Sequence, residues 1–235
     1  MKIVKNDLFD YKNRYIYQAD DGFKFSLDSI LLAEYVNFKK NQIILDMCTG
    51  NAAIPLVIST KTDNKIIAFE IQKEIATLAK KSVELNKLEK QIEIKNDDIN
   101  NIDKYFNKEY FDIIICNPPY FKNLSSLKNS NEIKAIARHE IKINLEQIFK
   151  ISFDYLKNNG ILYMSHRADR LDEIINLATK YSMRVKELVL VQTRKSEDIS
   201  MILVKCIKNS KNGMKIKVID VSKCSTYQHI FERVL

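Results

Sequence analysis

The stretch Phe111-Asp112-Ile113-Ile114-Ile115-Cys116-Asn117-Pro118-Pro119-Tyr120 limits what this chain can fold into more than any other. Five of its first six residues are apolar, the pattern of a strand buried on both faces. The two prolines that follow remove two backbone donors and fix two φ angles, so neither strand nor helix continues through them. A residue before proline avoids the helical region, which leaves Asn117 extended at the end of the strand. In an open α/β sheet that carboxyl edge is where ligands bind.

Asn, two prolines and an aromatic in this order suit one kind of chemistry. The Asn117 amide oxygen and the Pro118 carbonyl form a pair of fixed acceptors able to grip an NH2 group. Tyr120 offers a flat face on which a planar amide or base stacks. The same residues also serve as a rigid turn after a core strand, so the surrounding pattern must decide between the two readings.

That pattern is a repeated alternation of strand and helix. Ile43-Ile44-Leu45-Asp46 leads into the tight turn Met47-Cys48-Thr49-Gly50-Asn51-Ala52-Ala53 and a helix through Ile58. A second buried strand, Ile66 to Glu70, ends in a carboxylate 20 residues after Gly50, the spacing at which nucleotide-type α/β units place a ribose-binding acid. Ile75, Leu78, Ala79, Val83 and Leu85 recur at helical spacing with Asn86 as the cap. A third strand from Ile92 ends at Asp97 and Asp98, ahead of a short helical stretch to Phe106. Beyond Tyr120 the pattern predicts a helix from Asn144 to Lys157 that stops at Asn158-Asn159-Gly160. A strand from Ile161 to Ser165 and a helix near Asp169 to Tyr181 follow. Strands from Val185 to Val191 and Met201 to Ile207 come next, with a strand-like segment from Met214 to Ile219. The expected fold is α/β, a mostly parallel seven-stranded sheet with helices on both faces. Residues 41–235 are expected to form this domain, and residues 1–40 a short N-terminal extension packed on it.

The extension is rich in aromatics, with Phe23 and Phe25 read as a short strand and Ser26 or Asp28 as the cap of a helix bearing Ile30, Leu31 and Leu32. Phe-Lys-Phe-Ser-Leu-Asp in this segment could line one wall of a cofactor pocket. The polar segment Phe121 to Glu132 reads as a lid or a plain surface loop. His139, in Arg138-His139-Glu140, reads as a solvated loop residue more readily than as a base. Cys48, Cys116, Cys206 and Cys224 lack metal-ligand spacing, so buried thiols are expected and no metal site. No basic-then-apolar leader opens the chain and no apolar run reaches membrane-spanning length, so a cytoplasmic protein without membrane contact is expected. A net charge of +8 suits a polyanionic partner, although a lysine-rich composition gives the same sum. Lys122, Lys128, Lys215 and Lys217 are the candidate contacts.

Acid-ended strands at Asp46, Glu70 and Asp98, with N-P-P-Y closing the fourth, resemble the S-adenosylmethionine-dependent methyltransferases that modify amino groups. Phe-x-Phe-Ser-x-Asp-x-x-Leu-Leu-Ala near the start, Asp-x-Cys-x-Gly-Asn in the first turn, Asn-Pro-Pro-Tyr-Phe-Lys and Ala-Arg-His-Glu together resemble the bacterial tRNA1(Val) adenine-37 N6-methyltransferase family over nearly the whole chain. The resemblance implies a Rossmann-like methyltransferase fold, S-adenosylmethionine as methyl donor and the anticodon loop of a tRNA as partner, with no obligatory protein partner. It places Asp46, Cys48, Thr49, Gly50 and Asn51 around the methionine part of the donor, Glu70 on its ribose, Ile71 against its adenine and Asp98 near the adenine amine. Asn117, Pro118, Pro119 and Tyr120 would hold the target base, with Asn117 also bordering the donor. Where the general pattern is D-x-G-x-G-x-G, this chain has Cys48, Gly50 and Ala52. An alternative is an N-P-P-Y enzyme acting on a protein glutamine amide or another nucleic-acid amino group. Such enzymes usually carry a larger domain before the first strand. A non-catalytic RNA-binding or scaffold protein would be the reading of the eroded glycine turn alone.

Overall fold

The computed structural model describes residues 2–8, 11, 13–19, 25–118, 143–192, 199 and 201–221. Within these, β1 (Ile3–Asp7) and β2 (Tyr15–Ala19) form an antiparallel two-stranded sheet. The sequence reading did not anticipate this hairpin. Asn86 anchors it: its side chain accepts from the Tyr15 amide at 3.0 Å and donates to the Tyr15 carbonyl at 2.7 Å.

Among the described residues the main sheet has eight strands: β3 (Ile43–Asp46), β4 (Lys65–Phe69), β5 (Ile92–Lys95), β6 (Phe111–Cys116), β7 (Leu156–Arg167), β8 (Met183–Gln192), β9 (Met201–Lys208) and β10 (Lys215–Asp220). Their spatial order is β10-β8-β9-β7-β6-β3-β4-β5, parallel throughout except for β9, which runs antiparallel to both β7 and β8. The strand-like Lys215–Asp220 joins the sheet beside β8, which makes eight strands where seven were expected. The chain fills one side as β3, β4, β5 and then returns to place β6 on the other side of β3. The switch point therefore lies between β3 and β6, at the ends of Asp46 and Cys116.

Both faces are covered. On one lie α1 (Leu27–Tyr35), α2 (Ala53–Ile58) and α3 (Lys73–Leu85), whose Leu31, Leu56 and Ala79 pack in a core with Ile44, Ile66, Ile113 and Tyr163. On the other lie α4 (Leu145–Tyr155) and α5 (Leu171–Lys180), whose Phe149 and Ile174 pack with Leu45, Phe69, Ile114 and Met164. The alternation of β6 thus splits a continuous apolar run between two cores, as a parallel strand requires. Asn144 starts α4 with a reciprocal cap: it accepts from the Gln147 amide at 2.9 Å while the Gln147 side chain accepts from its own amide at 2.8 Å.

Three local expectations are corrected. Phe25 precedes α1 outside any strand, and Phe23 falls outside the described residues. Ser26 occupies the cap position of α1 but makes no side-chain capping bond. Helix α4 ends at Tyr155 and β7 begins at once, so Asn158-Asn159-Gly160 lies inside a strand span, as a register shift against β6. Among the described residues no helix is long and apolar enough to cross a membrane.

Candidate active site

A cleft of about 400 Å³ opens at the carboxyl edge over the switch point. One wall comes from the turn after β3 (Met47, Cys48, Gly50), another from the ends of β4 and β5 (Phe69, Glu70, Ile71, Asp97, Asp98), and the rest from Ser26 and Asp28 at the start of α1, Ile143, and Asn117 with Pro118.

The turn is strapped to strands on both sides. Past the end of β3, the Met47 amide donates to the Ile115 carbonyl at 3.0 Å and the Thr49 amide to the Phe69 carbonyl at 2.9 Å. Gly50 takes φ 58° and Ala52 φ 71°, both left-handed, so the backbone reverses into α2 within three residues. Glu70 closes the arrangement: one oxygen accepts from the Gly50 amide at 3.0 Å and the other from the Gln72 amide at 2.8 Å. The two bonds tie the turn after β3 to the residue that starts α3.

Asp97 and Asp98 divide the work at the end of β5. Asp98 caps the following short helix through a 2.9 Å bond from the Asn100 amide, whereas Asp97 accepts from Asn101 at 2.8 Å and from the Tyr105 hydroxyl at 2.7 Å. These bonds hold the Asp97 carboxyl below its ordinary range. Tyr105 in turn sits edge-on to Phe69, 5.7 Å between ring centres.

Asn117 follows β6 directly, and both ends of its amide are held. Its Nδ2 donates to Ser29 Oγ at 2.8 Å, and its Oδ1 accepts from Ser165 Oγ at 2.6 Å.

The charge pattern decides what class of ligand fits. Four carboxylates line the cleft, and among the described residues no lysine or arginine does, in a chain of net charge +8. Burial raises the Asp28 carboxyl above its usual range. Asp46, fully buried at the end of β3, is pushed up to about 7, first by burial and then by the neighbouring Glu70 charge. Neither Asp46 oxygen has a hydrogen-bond partner, although the Thr49 hydroxyl and Cys48 amide lie near enough to favour the charged form somewhat. Such a cleft favours a cationic ligand rich in hydroxyl and amine donors, with apolar contact from Phe69, Ile71 and Ile75. Burial, and then the adjoining Cys48, raise the Cys116 thiol well above its ordinary range.

Of the residues singled out from sequence, Cys48, Gly50, Glu70, Ile71, Asp98, Asn117 and Pro118 meet in this one cleft. Asp46, Thr49 and Asn51 do not line it; all three are buried within or beside the turn. Pro119, Tyr120, the polar segment after them and Arg138-His139-Glu140 lie outside the described residues. Sequence reasoning missed Asp97 as a second lining acid, although it stands next to Asp98, and missed Ser29 and Ser165, for which no spacing signal exists.

The methyltransferase small domain family matches residues 23–169. A tRNA1(Val) (adenine(37)-N6)-methyltransferase of Bacteroides thetaiotaomicron is 25% identical over 214 residues, spanning 90% of this chain and 88% of that one. One of the same name from Aliivibrio salmonicida is 24% identical over 200 residues, 85% of this chain and 83% of the other. Among solved structures, TYW2 of P. horikoshii in complex with MeSAdo superposes with TM-score 0.58 at 13% identity over 84% of this chain and 69% of that chain. Trm5 of Methanocaldococcus jannaschii in complex with adenosine gives 0.57 at 19% identity over 85% and 55%. At these identities the superpositions speak to the fold alone, and it is the fold described above.

Proposed function

Since the chain belongs to the methyltransferase small domain family, we propose that it methylates the exocyclic N6 amine of adenine 37 in the anticodon loop of tRNA1(Val), as a cytoplasmic enzyme using S-adenosylmethionine. The observation that carries this reading is Asn117, held by both ends of its amide at the mouth of an acidic cleft and followed by Pro118. Relatives matched along nearly their full length and bearing that activity in their names support the choice of substrate.

The residues present fit the donor. Its sulfonium and ammonium charges suit a cleft lined by the carboxylates of Asp28, Glu70, Asp97 and Asp98. In this reading Asp46, Cys48, Thr49, Gly50 and Asn51 shape the methionine end, Glu70 meets the ribose, Ile71 covers the adenine and Asp98 meets its amine. S-adenosylmethionine supplies an electrophilic methyl group. Residues 1–40 act as an extension of the methyltransferase domain at 41–235 and as a wall of the pocket, since Ser26 and Asp28 line it.

The chain's part in the reaction is orientation. Asn117 Oδ1, held by the Ser165 hydroxyl, is assigned to accept one hydrogen of the substrate amine. With the Pro118 carbonyl as second acceptor, both amine hydrogens are engaged and the nitrogen lone pair is left to face the methyl carbon. Both bonds strengthen as the amine becomes cationic, which favours the transition state over the bound substrate. Tyr120 is assigned to stack on the base and Pro119 to stiffen the turn that carries it. An anticodon-loop base is easily unstacked, so the chain has little extrusion energy to supply.

The test is methylation of unmodified tRNA1(Val) by purified protein, read by nucleoside mass spectrometry. N6-methyladenosine at position 37 is expected. Asn117→Ala should lower the single-turnover rate by about 100-fold or more, the scale for losing one aimed polar group at a reacting centre, while calorimetric affinity for the donor stays within a few-fold. Unmodified adenine 37 with the wild type, or an unchanged rate with Asn117→Ala, would overturn the reading.

A further inference from the structure

We infer that Ser165 and Ser29 are positioning residues that fix the orientation of the Asn117 amide, an inference that rests on the amine-gripping role proposed above. The three side chains come from separate parts of the fold: Asn117 from the end of β6, Ser165 from β7 and Ser29 from α1. Cys116 pairs in register with Met164, so the next step along each parallel strand brings Asn117 level with Ser165. Helix α1 packs against β7 and delivers Ser29 from the other side.

Both hydroxyls are buried and each adjoins an apolar run on one side. Ser165 is 0% exposed and follows Leu162, Tyr163 and Met164; Ser29 is 6% exposed and precedes Ile30, Leu31 and Leu32. A buried hydroxyl is costly unless hydrogen-bonded, and both have their bond with Asn117. An alanine at either place would fill the core without that cost, so the two hydroxyls point to a requirement on the amide.

The two bonds oppose rotation of the amide. Oδ1 accepts from the Ser165 hydroxyl at 2.6 Å while Nδ2 donates to Ser29 Oγ at 2.8 Å, so turning the amide breaks both bonds at once. Asparagine has a broad, roughly two-fold torsion at this bond. Turned by half a revolution it would present NH2 to a substrate NH2, donor against donor. Anchored at both ends, it presents the acceptor without having to be reoriented in each turnover.

The experiment is a double-mutant cycle with an independent spectroscopic reading. Ser165→Ala is expected to lower kcat about tenfold with KM for tRNA within twofold and donor affinity unchanged. The same change in an Asn117→Ala background is expected to have no further effect, because a positioning residue acts only through the group it positions. Should Ser165→Ala not fold, Ser29→Ala carries the same cycle. The Asn117 side-chain 15NH2 resonances, identified by their loss in Asn117→Ala, should exchange slowly with solvent in the wild type and faster in either serine variant. Wild-type kcat in the serine variants, an equal loss in the Asn117→Ala background, or unaltered amide exchange would overturn the inference. If the wild type methylates no tRNA but the serine variants speed amide exchange, the clamp stands and the functional reading fails.

Discussion

At the scale of single residues, the departures from D-x-G-x-G-x-G can be weighed one by one. Ala52 stands at the last glycine position with φ 71° and no exposed surface. A left-handed alanine costs about 1–2 kcal/mol. Against that, replacing it with glycine gives the unfolded chain about 0.4–1 kcal/mol of extra freedom and removes a buried methyl worth about 0.8 kcal/mol. These nearly cancel, so Ala52→Gly should alter the free energy of urea unfolding by less than about 1 kcal/mol. Ala52→Val should destabilise far more, because a β-branched side chain suits neither that φ nor the closed core. Equal midpoints for the valine variant and the wild type would refute this account of the turn. The spacing of Asp46, Gly50 and Glu70 made the turn readable from sequence. It did not reveal that Glu70 braces the turn through the Gly50 amide, nor that Ser29 and Ser165 converge on Asn117, because hydroxyls 88 and 48 residues away leave no local pattern.

Among the elements, strands buried on both faces were the most legible: Ile43–Asp46 and Phe111–Cys116 have the bounds their apolar runs imply. The hairpin of β1 and β2 was not, since β1 alternates only between exposed and half-buried residues and offers little apolar signal. Strand β7 shows how a correct local signal can mislead about an element. Asn158-Asn159-Gly160 does turn the chain, with Asn159 at φ 62°, but the turn is absorbed as a shift from the pair Phe111 and Leu156 to the pair Ile113 and Ile161. Asp112 secures that shift at the amino edge, accepting from the Ile43 amide at 2.8 Å and from Lys157 at 2.9 Å. The glycine is required for space. A Cβ at Gly160 would lie 2.8 Å from the Lys157 carbonyl oxygen and 3.0 Å from Leu156 Cβ, both close to rigid backbone. Gly160→Ala should therefore lower stability by roughly 1–3 kcal/mol, the usual range for overpacking, with the loss visible as a lower urea midpoint at unchanged slope. A midpoint equal to that of the wild type would mean that the shifted segment relaxes freely.

For the molecule as a whole, sign of charge separates two tasks. Among the described residues the cleft lining is acidic while the chain is basic, so the described lining is not what draws a polyanion to a chain of net charge +8. Two buried groups also set opposing pH dependences on the fold. Asp46 is pushed up to about 7, chiefly by burial, so between about pH 4 and 7 the folded chain holds a proton that the unfolded chain has lost. Stability therefore falls as pH rises through that window, by up to roughly 4 kcal/mol. His166, 7% exposed at the end of β7, is held down to about 4 by burial and by Arg170, so below about pH 6.5 the unfolded chain binds a proton that the folded chain refuses. Its contribution rises with pH from about 4 to 6.5, by up to roughly 3 kcal/mol. In the wild type the two slopes largely offset each other. Asp46→Asn leaves the histidine slope alone, and the variant should gain stability relative to the wild type as pH is raised from 4.5 to 7. His166→Gln leaves the aspartate slope alone and should lose relative stability over the same interval. Urea midpoints for the three proteins at both pH values measure this directly, with contributions from exposed groups common to all three. Curves that stay parallel would show that neither buried group titrates differently on folding, whereas curves that diverge in opposite directions would confirm that the fold holds both groups uncharged near the sheet edge that carries the site.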